Sequence, residues 1–443
     1  MSRRYAMARD RRDFLRATAA GIVGVGAGMT FGRAVAQTAP PEGVPKQPLK
    51  IGVMAAQSGV MAVPGVAALT ATKIWVEQVN KAGGILGRPI ELKIEEETGA
   101  KETVERFKKL TLQEKVDVVV GLMSTGNGQA VGQEAESLKQ LWLSWDATTQ
   151  KGVVEGQPVA NYSFRSVDNE LEAIAGAILT AKLFPDVKRV TGINNDYSYG
   201  RDCWEAYSRV LKMYRPGVVF EEPIFTKLGE TEFSAAIDAL AAKKPDLIMS
   251  SFWSGDTTIF LKQAAAKRLF EKTKGCFTTG GGVHDTLKKE FTPEGLILGY
   301  NSYYFLWTDN WPMSNEFVKT YHERTKTYPV YECDHAWFVL QAYKAAVEKC
   351  YALLKKWPTK EQLIEALRGI QVPSLSGYRG YRKDNKQECC FFMGVTTHKN
   401  PYDFVTIDPV HIFPSASIQK PEGYTFDQWI QEWEKKVKEV TKP

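Results

Sequence analysis

The sequence predicts an α/β protein made of two doubly wound, parallel-sheet units. Three observations carry this expectation. Short apolar runs alternate with helix-length stretches, the rhythm of a parallel sheet covered by helices on both faces. The run at 116–120, VDVVV, has the near-continuous apolar character of a strand buried on both sides. After Tyr162-Ser163-Phe164-Arg165 the rhythm starts again, so the same layout occurs twice.

Each element has a local signal. Residues 37–48 are rich in proline and read as an extended leader. A short apolar strand at 49–54 ends at Ser58-Gly59, and a helix over 67–80 is stopped by Gly83-Gly84. A strand at 90–94, a helix at 101–110, the strand at 116–120, a Gly-rich loop, a helix near 130–140 and a strand at 141–144 complete the first unit. The second unit places helices at 170–182, 204–213, 233–242 and 258–266, with strands at 189–193, 218–223 and 247–251 between them. Helices at 331–351 and 359–368 follow, and the latter opens with Thr359-x-x-Gln362, a capping box. The tail returns to strands at 390–395 and 404–407. It closes with a helix that puts Phe426, Trp429, Ile430, Trp433, Val437 and Val440 on one face.

The 443 residues carry 57 Lys plus Arg against 51 Asp plus Glu, a net charge of +6. Most of this excess is local. Residues 1–36 hold seven arginines and two aspartates, which is +5 and leaves +1 for the other 407. A nearly neutral remainder gives no reason to expect nucleic acid or an acidic membrane as partner. The uncharged stretch 17–31 is shorter than the ~20 residues that span a bilayer. It runs into Ala34-Val35-Ala36, a small-x-small cleavage site, and together these features read as an export signal cleaved near Ala36. Asp10-Arg11-Arg12-Asp13-Phe14-Leu15 is similar to a twin-arginine signal, which implies the twin-arginine export machinery as partner and a periplasmic destination. Beyond it no run is expected to reach spanning length, so no stable membrane insertion of the mature chain is expected. The six cysteines form no CxxC pair and read as buried small hydrophobes, with their disulfide state left open.

Catalytic chemistry has no constellation to stand on. The five histidines lack metal-ligand spacing, and no GxSxG or GxxxxGK[ST] motif occurs. Gly126-x-Gly128-x-x-x-Gly132 follows a strand, but it lacks the position after the first strand and the acid that would grip a ribose. No enzyme activity, metal or cofactor is therefore expected.

The segments IGVMAAQSGVMAVPG (51–65), VNKAGGILGRPIELKIEEE (79–97) and VDVVVGLMSTGNGQAV (116–131) resemble the type I periplasmic binding proteins of the branched-chain amino-acid (leucine/isoleucine/valine-binding) class. SFRS (163–166), DYSYG (196–200) and FSAAIDALAAKKPDLIMSSF (233–252) continue the likeness over most of 49–382. The resemblance implies two lobes joined by three hinge strands, with crossings near Phe164-Arg165, 299–303 and 377–381. One lobe would comprise 49–164 plus 301–376 and the other 165–300 plus 377–443. A small-molecule ligand would bind between them and close them, and an inner-membrane ABC permease would read the closed form.

Carried over position by position, the resemblance puts Thr125, Ala147 and Thr148 where hydroxyls and N–H groups grip a ligand carboxylate. Tyr199 and Trp253 would be aromatic walls from the second lobe, and Tyr331 a wall from the first. Two departures stand out. Gly281 replaces the acid that neutralises an amino-acid ammonium, and Asp146 stands where the family has a small residue. Asp146 would repel a ligand carboxylate unless the ligand also brings a cation or donor; its alternative is a helix cap or a solvated loop acid. The expected function is a solute receptor for an amino-acid-like ligand, an organic acid or an amide, aromatic or not. The alternative is a ligand-sensing or regulatory module on the same fold.

Overall fold

A computed structural model describes residues 39–146, 149, 161–166, 169–299, 301–388 and 390–440. The expected export signal, and Ala147 and Thr148, lie outside the described residues.

The first sheet contains β1 (Leu49–Ala55), β2 (Ile90–Glu96), β3 (Val118–Gly121), β4 (Trp142–Ser144) and β5 (Ser163–Arg165). All neighbours are parallel, in the order β2-β1-β3-β4-β5. Between its strands run α1 (Ala62–Lys81), α2 (Ala100–Lys108) and α3 (Thr125–Ser137). Val118, Val119 and Val120 are fully buried, as the VDVVV run requires of a central strand.

The second sheet opens with α4 (Asn169–Leu183) and β6 (Arg189–Asn195), then α5 (Ser198–Tyr214), β7 (Val219–Phe220), β8 (Ile224–Thr226), α6 (Ser234–Ala242), β9 (Leu247–Ser250), α7 (Gly255–Ala266), β10 (Lys274–Phe277) and β11 (Ile297–Leu298). After it come α8 (Pro312–Thr325), α9 (Tyr331–Leu354) and α10 (Lys360–Leu367). A small antiparallel sheet of β12 (Gln371–Ser374), β13 (Gly377–Tyr381) and β14 (Gln387–Glu388) follows. The chain then returns to the second sheet with β15 (Phe391–Thr397) and β16 (Thr406–Phe413), an antiparallel edge in the order β16-β15-β11-β10-β9-β6-β7. It ends in α11 (Ser415–Ile418) and α12 (Phe426–Val440), whose Phe426, Trp429 and Ile430 are buried.

The differences from the sequence reading have local causes. The strand expected at 218–223 shortens to β7, and β8 starts only after Pro223, which has no N–H to give the ladder. Strands β10 and β11 and helix α8 were not foreseen; β10 reads KGCF and β11 has two residues, too short for a periodicity. Helices α3 and α5 each begin five or six residues earlier than expected, so the Gly-rich loop and the DYSYG loop form first helical turns. The capping box is present: Thr359 Oγ1 accepts the Gln362 N–H and Gln362 Oε1 accepts the Thr359 N–H.

Two further expectations need correction. Residues 59–81 do form a helical stretch of spanning length, 23 residues with mean hydropathy 1.4, but 56% of its apolar window is buried inside the protein. It is a core helix against α9, where Trp75 Nε1 donates to Gln341 Oε1 at 3.0 Å. Of the five described cysteines, Cys203, Cys276, Cys333 and Cys350 are buried, while Cys390 is exposed just before β15. No disulfide joins any two of these five.

A buried ion pair ties α9 to the small sheet. Asp334 and Arg379 lie 2.8 Å apart, each side chain 1% exposed. The Asp334 carboxylate also accepts the Leu375 and Ser376 N–H groups and the Ser376 hydroxyl. Arg379 Nη2 donates to Ser166 O at 2.7 Å and to Gln387 Oε1 at 2.6 Å. One guanidinium thus joins α9, β13, β14 and the chain just after β5.

Candidate functional site

Parallel strands leave their carboxyl ends open to loops and helix N-termini, and ligands in open α/β sheets bind there. In this chain such ends of both sheets converge on one enclosed cavity. It is lined by Met123, Asp146, Tyr197, Tyr199, Trp253, Thr279 and Tyr331. Met123 follows β3 and Asp146 follows β4; Tyr197 and Tyr199 follow β6, Trp253 follows β9, and Thr279 follows β10. Tyr331 is the first residue of α9.

Hydrogen bonds set these side chains. Trp253 Nε1 donates to Tyr197 Oη at 3.1 Å. Thr279 Oγ1 donates to Ser251 O at 2.9 Å, so Tyr199 Oη, 2.9 Å away, donates to Thr279. The rings of Tyr197 and Tyr199 lie 5.7 Å apart, and Tyr331 packs edge-on to His335 at 5.2 Å. Gly282 makes room for Tyr331: a Cβ there would sit 2.7 Å from the ring's Cε1. Gly282 thus serves close packing at this wall.

The Met123 loop is held by Glu97. Its carboxyl accepts the Met123 N–H at 2.8 Å, the Ser124 N–H at 2.9 Å and Asn127 Nδ2 at 2.8 Å. Burial pushes this carboxyl up to about 7 against the pull of those donors. Above the unfolded value of 4.5 the unfolded chain has released this proton while the fold keeps it. Stability from Glu97 is therefore full below pH 4.5 and falls as pH rises to about 7, by up to about 3 kcal/mol. Glu97→Gln should remove this slope, at the cost of setting an amide N–H against a donor. Urea melts at pH 5 and pH 7 check it: the wild type should lose more stability between them than the variant, and parallel losses would exclude Glu97 as the titrating group.

Little open space remains inside. The cavity volume is only about 10 Å³. Small-molecule pockets usually offer roughly 300–1,000 Å³. A ligand larger than water can enter only if the walls separate.

A model of the family described as periplasmic binding protein matches residues 48–399, well over half of the chain. The chain belongs to this family. Among curated relatives, the Leu/Ile/Val-binding protein BraC3 of Rhizobium johnstonii is 25% identical over 45% of this chain and 53% of its own length. The Leu/Ile/Val-binding protein homolog 7 of Brucella suis is 24% identical over 62% of this chain and 70% of its own length. The chain therefore spans about half of the first relative and about two thirds of the second. Among solved structures, the solute binding protein of an ABC transporter from Rhodopseudomonas palustris, in complex with 3,4-dihydroxybenzoic acid, superposes with a TM-score of 0.73. It shares 18% identity and covers 86% of this chain and 100% of its own. The fold is that of the type I periplasmic binding proteins.

Within the family fold, Asp146, Tyr199, Trp253 and Tyr331 all line the cavity. Thr125 does not. It is buried as the first residue of α3, and Met123, two residues earlier, takes the lining position. Met123, Tyr197 and Thr279 are the lining residues that sequence reasoning missed, although all three lie in loops it singled out. Asp146 is 4% exposed, which excludes a solvated loop acid.

Proposed function

We propose that this chain is a periplasmic solute receptor that captures a small ligand by closing two lobes, 49–164 plus 301–376 and 165–300 plus 377–443. The ligand is amino-acid-like, an organic acid or an amide, aromatic or not, and the closed form passes it to an ABC-transporter permease. The observation that carries the reading is the enclosed cavity, whose lining comes from the strand ends of both sheets and from α9. Side chains from two sheets can surround a ligand completely only if the sheets part and close again. Binding then shifts an open–closed population, because only the closed form makes both sets of contacts. Asp146, Tyr199, Trp253 and Tyr331 are the proposed ligand contacts. Thr125, Ala147 and Thr148 stay as candidates for hydroxyl and N–H donors to the ligand.

A thermal-shift screen of residues 37–443 tests this. A ligand at a hundredfold excess over its Kd adds about 2.7 kcal/mol of stability, so its Tm rises. If amino acids, aromatic acids, amines and amides all leave the Tm unmoved, the receptor reading fails.

The proposed export route makes a separate prediction. Replacing Arg11 and Arg12 together by lysine keeps the charge of the leader. A twin-arginine route should lose export to the periplasm, whereas a general secretory route should keep it. Fractionation of cells producing the tagged protein reads the difference.

A further inference from the structure

We propose that the ligand of this cavity carries a positively charged nitrogen: it is a small organic cation, held by the Asp146 carboxylate and walled by the rings of Tyr197, Tyr199, Trp253 and Tyr331. This assignment rests on the receptor reading above and narrows it.

The lining chemistry points one way. Four of the seven lining residues are aromatic, Asp146 is the acid among them, and no Lys, Arg or His is among the described lining residues. Aromatic faces carry negative charge density and attract cations, most strongly when water is excluded. The negative edge of a carboxylate ligand would meet those same faces, and Asp146 as well.

Among the described residues, the groups packed behind Tyr331 favour a cation over an anion. His335, packed on Tyr331, is held neutral by burial and then by nearby Arg379. Arg379 is itself paired with Asp334 at 2.8 Å. Glu332, next to Tyr331, is fully buried, and loss of hydration raises its carboxyl well above the usual range, with the negative charge of Asp146 next. A cation in the cavity would relieve that repulsion, and an anion would add to it. The hydroxyls of Tyr199 and Thr279 are already bonded to each other and to the Ser251 carbonyl, so they are poor donors for an anion.

The experiment compares ligands of equal shape and different charge on residues 37–443. Choline is set against dimethylbutanol, its uncharged carbon isostere, and benzylamine against benzoate. The cations are expected to raise the Tm and to bind in titration calorimetry at least tenfold more tightly than their partners. Asp146→Asn should weaken choline at least a hundredfold while the Tm of the free protein stays within a few degrees. Benzoate binding as tightly as benzylamine, or dimethylbutanol as tightly as choline, would overturn the cation assignment and leave the receptor reading standing. Silence from all four, with a Tm rise from an uncharged or anionic solute of the broad screen, would do the same, whereas a rise confined to other amines would support the assignment. Silence from every solute would remove both. The wild-type comparison decides the matter even if Asp146→Asn fails to fold.

Discussion

Replacing Arg379 with methionine is expected to lower the folding stability by about 3–5 kcal/mol. The size follows from burial. Arg379 and Asp334 are each 1% exposed, so removing the guanidinium leaves a carboxylate without its counter-charge in a medium that cannot hydrate it. Ser166 O and Gln387 Oε1 lose a donor at the same time. The double variant Arg379→Met with Asp334→Leu should recover only part of the loss. It removes the stranded charge, but it also deprives the Leu375 and Ser376 N–H groups of their acceptor. Urea unfolding gives both values. A single-variant loss under about 1 kcal/mol would mean that water reaches the pair in solution.

Trp253→Ala should weaken the ligand found by the thermal screen by about 30- to 1,000-fold, the 2–4 kcal/mol typical of a buried aromatic anchor. The alanine removes a wall of the cavity and the N–H that fixes Tyr197 Oη. Trp253→Phe should keep most of the wall and lose the hydrogen bond, with about tenfold weaker binding. Far-UV circular dichroism should match the wild type in both, because the side chain sits beyond the end of β9 rather than within the sheet. Calorimetric affinity within threefold of wild type for the alanine variant would place the binding site elsewhere.

The parts of this molecule that were legible in the sequence are those governed by neighbours in the chain. Val118 to Val120 announce a central strand because three consecutive β-branched residues suit a pleat buried on both faces. Thr359 and Gln362 announce a helix start because the box satisfies itself within four residues. Tyr199 and Trp253 were open to selection because each stands just past a strand, where loops carry function. Thr125 does not line the cavity because the Gly-rich segment is already helical there. The first turn of α3, with its loop held by Glu97 from the end of β2, turns the lining position back to Met123.

By itself the sequence determined the alternation of strands and helices, the two repeats of that rhythm and which loops end on the site side of each sheet, since these depend on side-chain period and turn residues. Only the tertiary structure decided that Asp146 is buried, that Tyr197 backs onto Trp253, that Thr279 holds Tyr199, and that the cavity between them is only about 10 Å³. These partners are separated by 56 and 80 residues. Nothing local records such separations; they are settled when two sheets and α9 pack against each other and desolvate what lies between.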